Sequence, residues 1–482
     1  MNFRAVFHLI SFLPLVLGLS MLVCWGVGAY HEDSLAAQRG FALSAAISLV
    51  LGSILWTFTR GTVDLNRRDG VGIVTFGWLL CTLLGAIPFM MTGAIPHPAD
   101  AWFESVSGFT TTGASVMTAL DAAPRSVLLW RAMSQFFGGM GILVLCVAIL
   151  PLLGSGGMQI YRAEAAGPSK DRLTPRIANT AKLLWAVYVG LAIVLLGLLY
   201  GMGMSGFDAV CHALSTVATG GFSTRDASIA AFQNPAIEWT IIVFMFLGGI
   251  NFALHWRLLR GDWGAWVRDA EWRLYAGVIL LAIVIIGINT GSASYDDFWT
   301  GLRGIAFSVV SVITTTGFGT DDFAQWPALS QYVLLLLMFL GGCAGSTAGG
   351  IKMIRVLVLL KQVSREMKLF IQPQGIFHVK IGRQVVEPEI VSMISAFFII
   401  FILLFIGAAG AMMFFVPDLK TAVSAVASAL GNIGPGLGEV GPASTYAFIP
   451  TGGKIILAHC MLLGRLELYT MLVVLIPGFW RR

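Results

Sequence analysis

Four stretches of this chain align without gaps: FESVSGFTTTGAS (103–115), CHALSTVATGGFS (211–223), FSVVSVITTTGFG (307–319) and SAVASALGNIGPG (424–436). Each has Ser at its fifth position (Ser107, Ser215, Ser311, Ser428) and Gly at its eleventh (Gly113, Gly221, Gly317, Gly434). Two residues before that Gly stands Thr111, Thr219, Thr315 or Asn432. A second match follows each stretch: FFGG at 136–139, FLGG at 246–249, FLGG at 339–342 and LLGR at 462–465. Two matched blocks, in the same order, occur four times at a period of roughly a hundred residues, the mark of an internal repeat. The repeating unit reads as a span, a half-length helix, a Thr/Gly turn and a second span.

Composition sets the medium in which that unit folds. Of 482 residues, 57% are hydrophobic and 11% charged, with a mean hydropathy of +0.83. Soluble domains carry about 25% charged residues. So few charges cannot solvate a chain of this length, which excludes a soluble enzyme, a nucleic-acid reader and a disordered scaffold. Continuous rather than alternating apolar runs exclude a membrane β-barrel. An all-α polytopic membrane protein remains, with membrane lipid as its solvent. A spanning helix needs about 20 apolar residues. Candidates fall at 5–29, 41–59, 71–94, 127–153, 183–203, 236–257, 274–292, 330–360, 389–416 and 453–479, about ten transmembrane helices. The first is too long for the apolar core of a signal peptide, and no cleavage site follows it.

Basic residues gather in alternate loops: Arg60, Arg67 and Arg68; Arg162, Lys170, Arg172, Arg176 and Lys182; Arg257, Arg260, Arg268 and Arg273; Lys361, Arg365, Lys368, Lys380 and Arg383; Arg481 and Arg482. The loops between them carry Glu32, Asp33, Asp100, Asp208, Asp296, Asp297, Asp321 and Asp322. The positive-inside rule therefore puts both termini in the cytoplasm. Each unit then starts and ends on the same side, so the four repeat in parallel about one pseudo-fourfold axis.

A half-helix of about 11 residues cannot cross a bilayer, and non-helical backbone at that depth must be buried in protein or line a water-filled path. Four turns meeting on one axis meet that condition. Glycine reaches φ > 0 readily, which lets successive carbonyls face one way and replace the hydration shell of a cation. The half-helices aim their negative ends at the centre, which favours a cation. The expected filter comprises Thr111, Thr112 and Gly113; Thr219, Gly220 and Gly221; Thr315, Thr316 and Gly317; and Asn432, Ile433 and Gly434. Potassium, a large and weakly hydrated ion, is the first candidate substrate. Asp100, Glu104 and Asp208, near the outer ends, read either as a cation-attracting mouth or as ordinary interfacial charges. No CxxC, HExxH or catalytic constellation is present, so neither an enzyme nor a resident cofactor is expected.

Two features lie off the turns. Arg465 replaces the Gly139, Gly249 and Gly342 of the other units. It reads as a charge facing an internal cavity, or as the structural partner of a carboxylate such as Glu104; Glu467, two residues on, lies on another face. The run GGCAGSTAGGIKMIR (341–355) interrupts the eighth span. Gly341, Gly345 and Gly349 at i+4 steps suit close helix packing; the same glycines also suit an unwound segment.

The four units, the single Gly in each turn and the additional N-terminal pair resemble the Trk/Ktr/HKT potassium transporter superfamily over essentially the whole chain. Residues 1–59 tilt the resemblance toward the membrane subunit of bacterial Trk systems, since Ktr-type relatives generally lack that pair. The resemblance implies an N-terminal helix pair (1–65) and four M1-P-M2 repeats (66–160, 161–262, 263–372 and 373–482) around one pore in the bacterial inner membrane. It implies an intramembrane gate loop containing Gly345, Gly349 and Gly350 with Lys352 beside it, and a role for Arg465 in tempering cation passage. It further implies a homodimer and a cytoplasmic nucleotide-binding regulatory subunit, TrkA, docked on the basic underside. The departure from the TVGYG signature, with Ala114, Gly220 and Pro435 around the common Gly, implies a looser filter. A sodium or mixed monovalent-cation conductor and a proton-coupled secondary transporter are the alternatives.

Overall fold

The computed structural model describes residues 1–60, 66–149, 177–295, 297–382 and 384–480. The expected basic positions Arg162, Lys170, Arg172, Arg176, Arg383, Arg481 and Arg482, and Asp296, lie outside the described residues. The fold is helical, apart from a two-stranded hairpin pairing Lys380–Ile381 with Gln384–Val385.

Six described helices are long and apolar enough to cross a membrane: Phe3–Tyr30, Leu35–Thr59, Arg68–Met91, Leu183–Gly201, Ala270–Thr290 and Pro388–Met412. Arg125–Ile149 is a further helix of 25 residues. Leu198, Leu280, Ile288 and Leu403 on these helices are exposed, as a lipid-facing surface requires. The N-terminal pair packs tightly: a Cβ on Gly18 would lie 2.7 Å from Leu49, and one on Gly52 2.8 Å from Leu15. The turn between the pair caps the helix of the first repeat, with Asp33 accepting from the Arg125 and Ser126 backbone amides.

Three spans expected to be continuous are broken at or next to the second sequence match. Pro235–Gly248 and Phe252–Leu259 meet at 103°, and Thr451–Arg465 and Tyr469–Leu475 at 116°. The expected span 330–360 is a helix Ala328–Leu337, a non-helical segment and a new helix Met353–Ile371. The breaks have local causes. The Asn251 side chain accepts the Ala253 amide and so starts a new helix in a new direction. In the third unit, Leu340 and Ile351 form a β-bridge in place of helical bonds.

Four shorter helices, Pro98–Phe109, Gly206–Val217, Phe298–Ile313 and Leu419–Gly431, precede the four Thr/Gly turns. Three start on a side-chain cap, from Ser205, Asp297 and Asp418, and the first has Pro98 in its first turn. Repetition extends to packing between units. Tyr188 donates to the Phe136 carbonyl at 3.0 Å and Tyr275 donates to the Phe246 carbonyl at 3.3 Å, each ring stacked on the Phe it bonds. Phe136 and Phe246 are the first residues of FFGG and FLGG, so one interface is built twice.

Candidate functional site

All four short helices end in one way. The amides of Thr112, Gly220, Thr316 and Ile433 donate to the carbonyls of Ser107, Ser215, Ser311 and Ser428, each at 2.9 Å. The amide one residue earlier donates to a carbonyl three residues back: Thr111 to Gly108, Thr219 to Thr216, Thr315 to Val312 and Asn432 to Ala429. This pair of bonds is the Schellman termination, which needs a left-handed residue. That residue is Thr111 (φ 54°), Thr219 (φ 52°), Thr315 (φ 56°) or Asn432 (φ 56°). Two residues on, Gly113, Gly221, Gly317 and Gly434 are left-handed again, at φ 85°, 79°, 81° and 106°. The expectation of positive φ at the four glycines therefore holds. The left-handed threonines were not foreseen. A β-branched residue there costs about 1–2 kcal/mol, strain that surrounding structure must hold.

The four turns meet. A Cβ on Gly113 would lie 2.3 Å from the Gly220 carbonyl oxygen, one on Gly221 1.9 Å from that of Thr316, one on Gly317 2.0 Å from that of Ile433, and one on Gly434 2.7 Å from that of Thr112. First touches second, second third, third fourth, and fourth first, so the circuit closes. All twelve residues expected in the filter lie on this ring or one residue from it. Thr110 and Thr112 share a hydroxyl bond of 2.7 Å, and Thr314 and Thr316 one of 2.8 Å.

Side chains brace the ring, and two of them, Gln135 and Tyr446, were not foreseen from the sequence. The Gln135 amide donates to the Gly220 carbonyl at 2.5 Å and its oxygen accepts the Phe222 amide at 3.0 Å. Gln135 aligns with Met245, Met338 and Met461, one residue before the second match, so a polar residue at an otherwise apolar repeat position was the available signal. Ser428 and Tyr446 both donate to the Gly434 carbonyl, at 2.8 and 2.7 Å. Asn432 donates to Thr112 at 3.0 Å, tying the fourth turn to the first.

The run 338–352 is unwound and lies across the ends of the short helices, so the close-packed helix alternative does not hold. Thr347 donates to the Val217 carbonyl at 3.1 Å, and Thr219 donates to Thr347 at 3.2 Å. The Gly349 amide donates to the Thr315 hydroxyl at 2.7 Å. A Cβ on Gly349 would lie 2.5 Å from the Gly431 carbonyl. Left-handed Gly345 (φ 73°) and Gly350 (φ 65°) shape the segment. Buried Glu271, also unforeseen, accepts the amides of Ala344 at 2.7 Å and Ile354 at 2.9 Å and so ties the middle of the run to the first turn of the helix that follows it. Lys352 stands at the start of the next helix and its ammonium donates to the Ala348 carbonyl.

Arg465 closes the arrangement. It is buried and donates to the Thr347 carbonyl of this segment and the Gly138 carbonyl of the first repeat, each at 2.8 Å; its Nε has no hydrogen-bond partner among the described residues. Gly138 itself sits where a Cβ would meet the Phe109 carbonyl at 1.9 Å. Glu104 is not its partner: Glu104 pairs with Arg131 at 2.9 Å. Arg465, Lys352, Arg355 and Glu467 line a pocket against the segment, with Arg355 bonded to Glu467 at 2.5 Å.

The acids read as a cation mouth are engaged in structure. Asp100 pairs with Lys454 at 2.9 Å, and Asp208 with Arg225 at 2.8 Å while its amide caps on Ser205. Carboxylates near a helix N-terminus are stabilised by its unpaired amides, which accounts for them without an ion.

The family model TrkH, described as a cation transport protein, matches residues 37–262 and 278–480. Similar curated proteins include the Trk system potassium uptake protein TrkH of Salmonella typhimurium, 42% identical over the whole of both chains. The Trk system potassium uptake protein TrkG of Escherichia coli is 35% identical over 99% of each. The crystal structure of the potassium transporter TrkH from Vibrio parahaemolyticus is similar with a TM-score of 0.90 and 36% identity, covering all of both chains.

Proposed function

The chain belongs to the TrkH family of cation transport proteins, and on that premise we propose that it takes up potassium across the bacterial inner membrane through the ring of Thr/Gly turns. One observation carries the filter assignment: the four turns contact one another in a closed circuit, and each has positive φ at its first and third residues but not at the one between. Such alternation turns successive carbonyls toward one side, which is how backbone oxygens replace a hydration shell. The Thr111–Gly113, Thr219–Gly221, Thr315–Gly317 and Asn432–Gly434 turns supply the oxygens, and potassium is cargo rather than cofactor. This reading divides the chain into the helix pair (1–65) and the repeats 66–160, 161–262, 263–372 and 373–482. Both termini face the cytoplasm, with a TrkA-like nucleotide-binding subunit docked on that side and two copies of the chain forming a dimer. In vesicles holding the purified protein at a set inward-negative voltage, rubidium and potassium accumulate and sodium competes weakly. No voltage-driven uptake, or sodium uptake equal to potassium, overturns the reading.

The unwound segment is the gate in this proposal. It is latched to the second and third turns through Thr219 and Thr315 and to the first repeat through Arg465. Removing Gly345 through Gly350 takes away Thr347 and Gly349, and with them these latches. Basal rubidium flux in the same vesicles rises several-fold. A correctly inserted deletion variant with unchanged or lost flux assigns the segment to packing instead.

A further inference from the structure

A chain of buried polar contacts runs behind three of the four turns, and nothing in the mechanism above uses it. It begins at the Gly434 carbonyl, which accepts the Tyr446 hydroxyl at 2.7 Å. The Tyr446 amide donates to the Ser115 carbonyl at 2.9 Å, crossing from the fourth repeat to the first. The Ser115 hydroxyl donates to Glu104 at 2.9 Å, and Glu104 also accepts the Val116 amide at 2.9 Å. Arg131 donates to Glu104 at 2.9 Å and to the Ser115 hydroxyl at 3.1 Å. Its remaining nitrogen donates to the Ser223 carbonyl at 2.8 Å, crossing into the second repeat. There the Ser223 hydroxyl meets buried His212 at 3.0 Å. The Arg131 guanidinium also lies 4.0 Å from the ring centre of Phe222, the residue after Gly221.

Repeat alignment shows how specific this is. Glu104 and Ser115 hold the second and thirteenth positions of their stretch, and His212 and Ser223 hold the same two positions of theirs. The third repeat places Ser308 and Gly319 there, so its turn lacks the contact. Arg131 aligns with Ile241, Leu334 and Leu457. The ion pair is thus unique to one unit, yet its bonds reach the backbone that leaves two turns, and Tyr446 carries the connection to a third. Glu104 is 0% and Arg131 1% exposed, and a pair this deep is held in one geometry because either charge left alone is costly.

We propose that Glu104, Arg131 and Tyr446 are specificity-determining positioning residues: a buried belt that fixes the spacing of the carbonyl ring across the fourth, first and second turns, and so sets discrimination between potassium and sodium. The inference rests on the filter reading. None of the three touches the ion; each acts through the backbone it holds. Potassium and sodium differ in the ring they fit, and a ring free to contract loses its preference for the larger ion.

The test measures rubidium and sodium uptake at fixed voltage in vesicles containing wild type, Tyr446→Phe, or Glu104→Gln/Arg131→Gln, with the amount of inserted protein determined for each. Tyr446→Phe removes one hydroxyl and keeps the ring. A hydrogen bond contributes about 1 kcal/mol net, so the rubidium-to-sodium ratio falls about fivefold, on the scale of tenfold per 1.4 kcal/mol. The double variant removes both buried charges together, and its ratio falls about tenfold or more. A role in folding alone lowers the amount of inserted protein and leaves the ratio of what remains unchanged; a wild-type ratio in inserted Tyr446→Phe overturns the belt. Should the double variant fail to insert, Tyr446→Phe decides. If wild type itself shows no preference for rubidium, the filter reading fails first, and with it this inference.

Discussion

Gly221→Ser and Gly317→Ser lose at least about tenfold of the preference for potassium over sodium, and Gly434→Ser loses less. The order follows from the space at each position. A Cβ on Gly221 or Gly317 would stand 1.9 or 2.0 Å from a carbonyl oxygen of the next repeat, against 2.3 Å at Gly113 and 2.7 Å at Gly434. The nearest atom at each of the two tightest positions is backbone, and the one side chain met, the Pro435 ring at 2.9 Å from a Cβ on Gly317, is fixed to its own backbone, so nothing can swing aside. Either the neighbouring turn moves by more than an ångström or the glycine abandons its left-handed φ. Both outcomes reorient a carbonyl of the ring. Strain of about 1–2 kcal/mol for a left-handed non-glycine residue adds to the clash, and overpacking costs about 1–3 kcal/mol more. Competition between rubidium and sodium uptake, scaled to inserted protein, reads the effect. If these three and Gly113→Ser all discriminate like wild type, the filter assignment sinks, and a reversed order would show that contact distance does not govern it.

The fourfold repeat was legible because a Schellman ending leaves fixed marks. The fifth-position Ser turns its hydroxyl back onto the turn in two units, Ser311 to the Phe318 carbonyl and Ser428 to the Gly434 carbonyl, and the eleventh must be Gly where its neighbour's backbone leaves no room for Cβ. Spacing therefore showed in sequence what the ring needs in space. The ninth position misled. Threonine is a poor left-handed residue, so Thr111, Thr219 and Thr315 read as ordinary turn residues, although Asn432 in the same column tolerates that conformation and was the clue. Thr219 and Thr315 meet the unwound segment with their hydroxyls, contacts a glycine could not make.

The acids admit two readings from the sequence, and a local signal favours the structural one. Ser205-Gly206-Phe207-Asp208 is a helix-start signature, so Asp208 was readable as part of a helix N-terminus, not as an ion-attracting mouth. Glu104 and Arg131 stand 27 residues apart with a turn between them, and periodicity carries no information on contacts across a turn. The broken spans were hidden for a related reason. Hydropathy over a window is blind to direction, and 236–257 stays apolar through its 103° bend.

Arg465→Ala raises maximal cation flux several-fold, and the reason is now twofold. On the proposed reading the guanidinium is a fixed positive charge beside the pathway, since arginine does not deprotonate in proteins. It is also a mechanical link, bonding the Thr347 carbonyl of the gate segment to the Gly138 carbonyl of the first repeat. Hydrogen bonds from a charged donor contribute about 1.5–3 kcal/mol each, so alanine frees the segment as well as lowering the electrostatic barrier. The membrane potential supplies about 2.3 kcal/mol per 100 mV for each charge moved, so wild type still conducts inward against a barrier of that size. Arg465→Lys separates the two effects. An ammonium keeps the charge and loses the planar fork that spans two carbonyls 327 and 118 residues away in sequence. If charge alone matters, Lys behaves as wild type; if the link matters, its flux lies between wild type and Ala. Glu104 is committed to Arg131, so neutralising it does nothing for an Arg465→Ala variant. Voltage-clamped uptake in vesicles, with insertion measured in parallel, gives the answer: inserted Arg465→Ala with wild-type flux removes Arg465 from both the barrier and the gate.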